Sequence, residues 1–237
     1  MSDTRQSIAT DLSAAVSRGV AIVVALFGLA FLLMPSARDR LIVEDGIIET
    51  ATAIVFLAAA IGGMIAIRSG SVPGAYWLIP AFGLFGFLDE MSFGARVFGF
   101  PLPTVNGLKV DSFHDIFDLA DRLAGTLGVS RTQIAGLAVL LTLAALAYLL
   151  RTGRLRRVPA WLHKHRAVMT ALAALGLLLI AVALDLLGSS PSARFAEETA
   201  EFAAAGLLLV AAAQIHASGR TGEAGNSFEL QQSGGAS

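Results

Sequence analysis

FAEETAEFAAAGLLLVAAAQI, residues 195–215, holds the two facts that decide the fold. The stretch matches the roughly 20 predominantly apolar residues that carry a helix across about 30 Å of hydrocarbon. Yet Glu197, Glu198 and Glu201 stand in its first third. A carboxylate at membrane depth is costly and needs a partner, a metal or a water-filled pocket, so each is a candidate functional group.

Working outward, comparable apolar runs fall at 19–34, 46–67, 75–88, 133–150 and 168–187. The chain is 55% hydrophobic with a mean hydropathy of +0.71, and its 15% charged residues gather between the runs. This pattern predicts an all-α protein, a polytopic transmembrane bundle of about six spans with a short amphipathic interfacial helix. At 237 residues the chain has room for one bundle and no second sizeable domain. Residues 1–17 read as a cytoplasmic N-terminal segment too polar for a signal peptide, 18–216 as the bundle with an outer-side lid over 89–132, and 217–237 as a disordered cytoplasmic tail.

Orientation follows from the connection holding Arg151, Arg154, Arg156, Arg157, Lys164 and Arg166, which carries no acid. The positive-inside rule makes it cytoplasmic, and alternation places both termini on the cytoplasmic side of the membrane. Glu44, Asp45 and Glu49 then open the second span from outside, Asp89 and Glu90 close the third, Asp185 closes the fifth, and Glu197, Glu198 and Glu201 open the sixth. Every acidic cluster falls in one leaflet.

On a helix, Asp45 and Glu49 share a face, as do Glu197 and Glu201, and Thr52 continues the Glu49 face inward. Like charges at this spacing call for a cation, an arginine or shared protons. The helix macrodipole accounts for Glu44, Asp45 and Glu197 at helix starts. It does not reach Glu201, about two turns in.

The third span runs into FLDEMSFGARVFGFPLP, residues 87–103. Pro101 and Pro103 forbid a regular helix there, while the apolar character of VFGFPLP points to a re-entrant or interfacial loop packed over the bundle. Arg96 has two readings, a headgroup-level anchor that neutralises Glu90 or a holder of an anionic group. Beyond it, VDSFHDIFDLADRLAG, residues 110–125, reads as an amphipathic helix with Phe113, Ile116, Phe117 and Ala120 on its apolar arc. His114 is the one histidine on the outer side; it is either a plain surface residue bonded to Asp118 or a ligand or base at the site.

The run from Asp89 to Phe100, followed by Pro101, Pro103, Asn106 and His114, resembles an E-E-I-S-W-G-Q-R-x-F-G-F…P…N…H-N pattern of uncharacterised multi-span bacterial membrane proteins. In that family an E-D-x-x-x-E element comes first and a paired-Glu helix closes the chain; Glu44, Asp45 and Glu49, then Glu197, Glu198 and Glu201, are the counterparts. Here Asp89, Phe93, Ala95 and Asp115 depart from the pattern's Glu, Trp, Gln and Asn. The resemblance implies a shared site and no particular chemistry.

Inventory removes several membrane chemistries. No span holds a histidine for haem, the only lysines, Lys109 and Lys164, lie in loops and exclude a retinal Schiff base, and the absence of cysteine excludes Fe–S clusters and thiolate sites. No G-x-S-x-G element is present, and a histidine-rich zinc centre lacks its histidines. Nucleic acid is not an expected partner; the lipid bilayer and other membrane helices are.

Three classes remain. In the first, Glu49, Glu90, His114, Glu198 and Glu201 bind a divalent ion (Mn, Fe, Ca or Mg), with Glu90, His114 and Arg96 as catalytic candidates for hydrolytic or related chemistry on a lipid or periplasmic substrate. In the second, the acids pair with Arg96, Arg122 or Arg194 to fix the fold of a non-enzymatic subunit or assembly factor. The third, a cation or proton-coupled transporter, lacks charged groups in the cytoplasmic halves of the spans to complete a relay.

Overall fold

A computed structural model of the protein describes residues 2–43, 46–69, 74–105, 107–110, 119, 122–126, 128, 133, 140, 151, 165–187 and 190–233. Helix α1 (Ser2–Leu33) is followed by α2 (Pro35–Ile42), α3 (Ile47–Arg68), a 3-10 turn (Gly74–Trp77) and α4 (Leu78–Glu90). A second 3-10 turn (Ser92–Gly94), the single-turn α5 (Ala95–Phe98) and a ladder of β1 (Thr104–Val105) with β2 (Leu108–Lys109) come next. Two long helices, α6 (Arg166–Leu187) and α7 (Pro191–Ser233), complete the described chain.

Among the described residues, four helical segments are long and apolar enough to cross a membrane: Asp11–Leu33, Ile47–Arg68, Arg166–Asp185 and Pro191–Ala217. They mark a helical membrane protein. The run at 75–88 takes a different form, a 3-10 turn joined to α4. At 1.5 Å per residue α4 is about 20 Å long, short of the hydrocarbon thickness. Pro80 near its start is tolerated because amides of a first turn have no intrahelical acceptor. The run at 133–150 lies almost wholly outside the described residues, as does the His114 segment; of the amphipathic stretch, 122–126 is helical.

Three helical features lie outside the apolar runs. The connection after the first run holds α2, started by Pro35 at its first position, where a missing N–H costs nothing. Helix α1 already begins at Ser2, across the polar N-terminal segment. Helix α7 continues to Ser233; no proline interrupts it after Pro191, and FELQQ at 228–232 contains good helix formers.

The chain divides into two compact units, Met1–Glu90 with Arg166–Ser237, and Met91–His165. In the first, α7 is the hub, packing on α1, α3 and α6, while α3 also packs on α4. Aromatic pairs fix α1 antiparallel to α7: Phe27 meets Phe202 edge-on at 5.4 Å, and Phe31 stacks on Phe195 at 4.2 Å. Helix α3 runs parallel to α7, with Gly62 facing Ala212.

Small residues set how closely these helices approach, as expected where lipid supplies no hydrophobic drive for association. A methyl group on Gly83 of α4 would lie 2.7 Å from the Ala60 amide nitrogen and 2.9 Å from the Phe56 carbonyl oxygen of α3. Gly86, one turn on, leaves room for the Phe56 ring, and Gly206 of α7 for Val20 of α1. The centre holds Ile48, Phe56, Ile79, Leu208 and Ile215, all fully buried, whereas Ile22, Leu26 and Leu29 of α1 face outward as lipid-facing residues do.

Candidate functional site

The helix directions of the first unit bring the start of α3, the end of α4 and the start of α7 to one end of the bundle. Of the acids singled out in this unit, Glu49, Asp89, Glu90, Glu197, Glu198 and Glu201 are on those three segments, Asp185 is on α6, and Glu44 and Asp45 lie outside the described residues. Glu49 stands in the first turn of α3, after Gly46, whose buried position lies so close to the carbonyls of Arg40 and Val43 that only glycine fits. Asp89 and Glu90 are the last two residues of α4. The helix stops there because Ser92 (φ 46°) and Phe93 (φ 53°) take the left-handed conformation, a strained choice for residues other than glycine.

Helix α7 starts with an N-cap serine followed by proline. The Ala193 amide donates to Ser190 Oγ at 3.2 Å, and Pro191 occupies the first helical position. This start precedes the apolar run by several residues, so Glu201 lies about three turns into the helix rather than two. Glu197, Glu198 and Glu201 are all half-buried, as are Glu49, Asp89 and Glu90.

These carboxylates form one electrostatic group. The charges of Glu201, Glu198, Glu49 and Asp89 bear on Glu90, and those of Glu198, Glu197, Asp89 and Glu49 bear on Glu201. Three helices distant in sequence thus place like charges together, an arrangement that repels itself unless a cation, a base or a proton stands among them. Glu198 Oε2 is buried, and next to it in sequence Thr199 Oγ1 is buried without a hydrogen-bond partner. Thr52, fully buried one turn below Glu49, donates its hydroxyl to the Ile48 carbonyl at 2.9 Å, so that proton is committed to its own helix.

A base of α2 has a task of its own. Arg38 of α2 donates from Nε to the Phe31 carbonyl at 2.7 Å and from Nη2 to the Leu32 carbonyl at 3.4 Å, and its guanidinium lies over the Phe31 ring at 5.3 Å. It caps the C-terminus of α1, where orphan carbonyls and the negative end of the helix dipole favour a cation. Arg40 and Arg194 are exposed.

Of the predicted site residues, Glu49, Glu90, Glu198 and Glu201 come together. Asp89 and Glu197 join them, although helix-end electrostatics seemed a sufficient account of Glu197 in the sequence. Arg96 lies on α5 in the second unit, half-buried, and His114 lies outside the described residues. Among the described residues, no three acidic or imidazole groups stand in a ready-made metal-ligand set. Asp185, at the same end of the bundle, is exposed and acts on neither Glu90 nor Glu201. No family model matches the chain, and no curated protein or solved structure matches it.

Proposed function

We propose that the carboxylate cluster is a cation-binding site on the outer side of a bacterial inner membrane, in a six-span bundle with both termini cytoplasmic. The observation that carries this reading is the convergence of Glu49, Glu90, Glu198 and Glu201 from three helices, with Asp89 and Glu197 beside them. A hydrated divalent ion suits the geometry best: magnesium, and manganese like it, keeps several waters and is held by one or two carboxylates, so no three-ligand set is required in advance.

In the enzymatic form of this proposal, His114 acts as a further ligand or as a base, and Arg96 holds an anionic group of a lipid or periplasmic substrate during hydrolytic or related chemistry. A bound divalent ion would supply Lewis acidity and a more acidic water. The chain's own acids would hold that ion and orient its water shell.

Metal analysis of the purified protein, with thermal unfolding before and after chelation, tests the site. The expected outcome is a bound divalent ion, a lower Tm on chelation, and loss of both effects in Glu201→Gln. Absence of metal from both proteins, with no Tm response to added Mg, Mn, Ca or Fe, would remove the cation reading. A non-enzymatic subunit or assembly factor then takes its place, a reading favoured by the outward apolar face of α1. The transporter reading is weakest, because the interior of α7 between Glu201 and Gln214 presents Phe202, Ala204, Ala205, Leu208, Ala211 and Ala212, all buried and apolar.

A further inference from the structure

The second unit exposes aromatic side chains in a segment with a defined shape. Phe98 is 77% exposed and Phe100 44%, on either side of Gly99, whose left-handed φ of 66° ends α5. Gly94, with φ 95°, starts α5, and the Phe98 ring lies 3.3 Å from where its side chain would begin. On the other flank the β1–β2 ladder and a bond from the Val110 amide to the Pro103 carbonyl at 3.0 Å close the loop. The aromatic tip is held at both ends by backbone geometry.

We propose that residues 98–103 insert into the lipid interface, with Phe98 and Phe100 as the wedge and an anionic phospholipid surface as the partner. Continuity comes first: only a 3-10 turn and the single-turn α5 join the segment to α4, and α4 belongs to the unit with four helices able to cross a membrane. Charge comes second. Residues 91–110 include Arg96 and Lys109 and no Asp or Glu, a composition that favours a negatively charged leaflet.

Backbone chemistry agrees. An amide buried among lipid must find an acceptor. The Gly99 amide donates to the Ala95 carbonyl at 2.8 Å, and Pro101 and Pro103 have no amide hydrogen to satisfy. Phenylalanine at the headgroup boundary buries its ring at no cost in polar groups. This role is independent of cation binding, and it differs from that of a lid, which would put the same rings against protein.

The chain has no cysteine, so Phe98→Cys and Phe100→Cys each create a single labelling site in the full-length protein. Each variant, carrying an environment-sensitive fluorophore, is reconstituted into vesicles of phosphatidylcholine with phosphatidylglycerol. The proposal expects quenching by a shallow spin-labelled lipid to exceed quenching by aqueous iodide by about twofold or more, with a weaker lipid effect in pure phosphatidylcholine. Dominant quenching by iodide would overturn it in favour of a solvated loop. Protection from both quenchers would overturn it in favour of a protein cover. Unchanged elution and Tm of the labelled proteins show that the fold has been kept, as expected for exposed positions.

Discussion

The two ends of the bundle use polar groups in opposite ways. At one, acids from α3, α4 and α7 are gathered so that their charges act on each other. At the other, neutral hydrogen bonds hold the helix ends: Thr170 Oγ1 of α6 lies 3.0 Å from both its own Arg166 carbonyl and Gln214 Oε1 of α7, and Ser69 Oγ donates to the Ala66 carbonyl at 2.9 Å. The same helices run through both ends. A neutral hydrogen bond between spans is a stitch that closes a packing interface, whereas a gathering of like charges adds nothing to packing and raises its cost.

The comparison breaks most completely if α4 is moved. Gly83→Ala puts a methyl group into the backbone of α3, with an expected loss of about 3 kcal/mol or of the folded protein altogether, read from unfolding in detergent. Because α4 carries Asp89 and Glu90, the folded fraction should also lose its cation-dependent rise in Tm. Gly206→Ala should cost less, since its obstacle is the Val20 side chain rather than backbone.

A sharper test alters the neutral end alone. Gln214→Leu removes the acceptor of the Thr170 bond and is expected to cost about 1 kcal/mol while leaving metal content unchanged. A loss of metal in this variant would show that the ends are coupled and would undo the contrast. The smallest effect belongs to Thr199→Val, which replaces a buried, unbonded hydroxyl with a methyl group. Thermal unfolding should show stability unchanged or raised by about 1 kcal/mol. A decrease beyond that would assign the hydroxyl a partner in the working protein.

The gathering of acids was legible in part because Glu49 and Glu201 each stand near the start of an apolar run, and α3 and α7 run parallel, which brings those starts to one end of the bundle. The helix start was harder to read: Ser190 and Pro191 are standard helix-start residues but lie outside the apolar run, so counting from that run puts Glu201 a turn nearer the start of α7 than it is. Arg38 was illegible as a cap because its acceptors are on the preceding helix, and only the fold of α2 back toward Phe31 brings them near. The third run illustrates a limit of composition, which measures apolarity but does not separate a full crossing from a 3-10 turn followed by a short helix.

The alanine-rich interior of α7 has an electrical consequence. Between Glu201 and Gln214 it spans about 20 Å, and the buried side chains along it are hydrocarbon. Such a column behaves as the dielectric of a capacitor, and in the proposed orientation most of the transmembrane voltage drops across it. An ion resting among the acids would cross little of that field, so its occupancy should stay nearly constant when the membrane is energised or discharged.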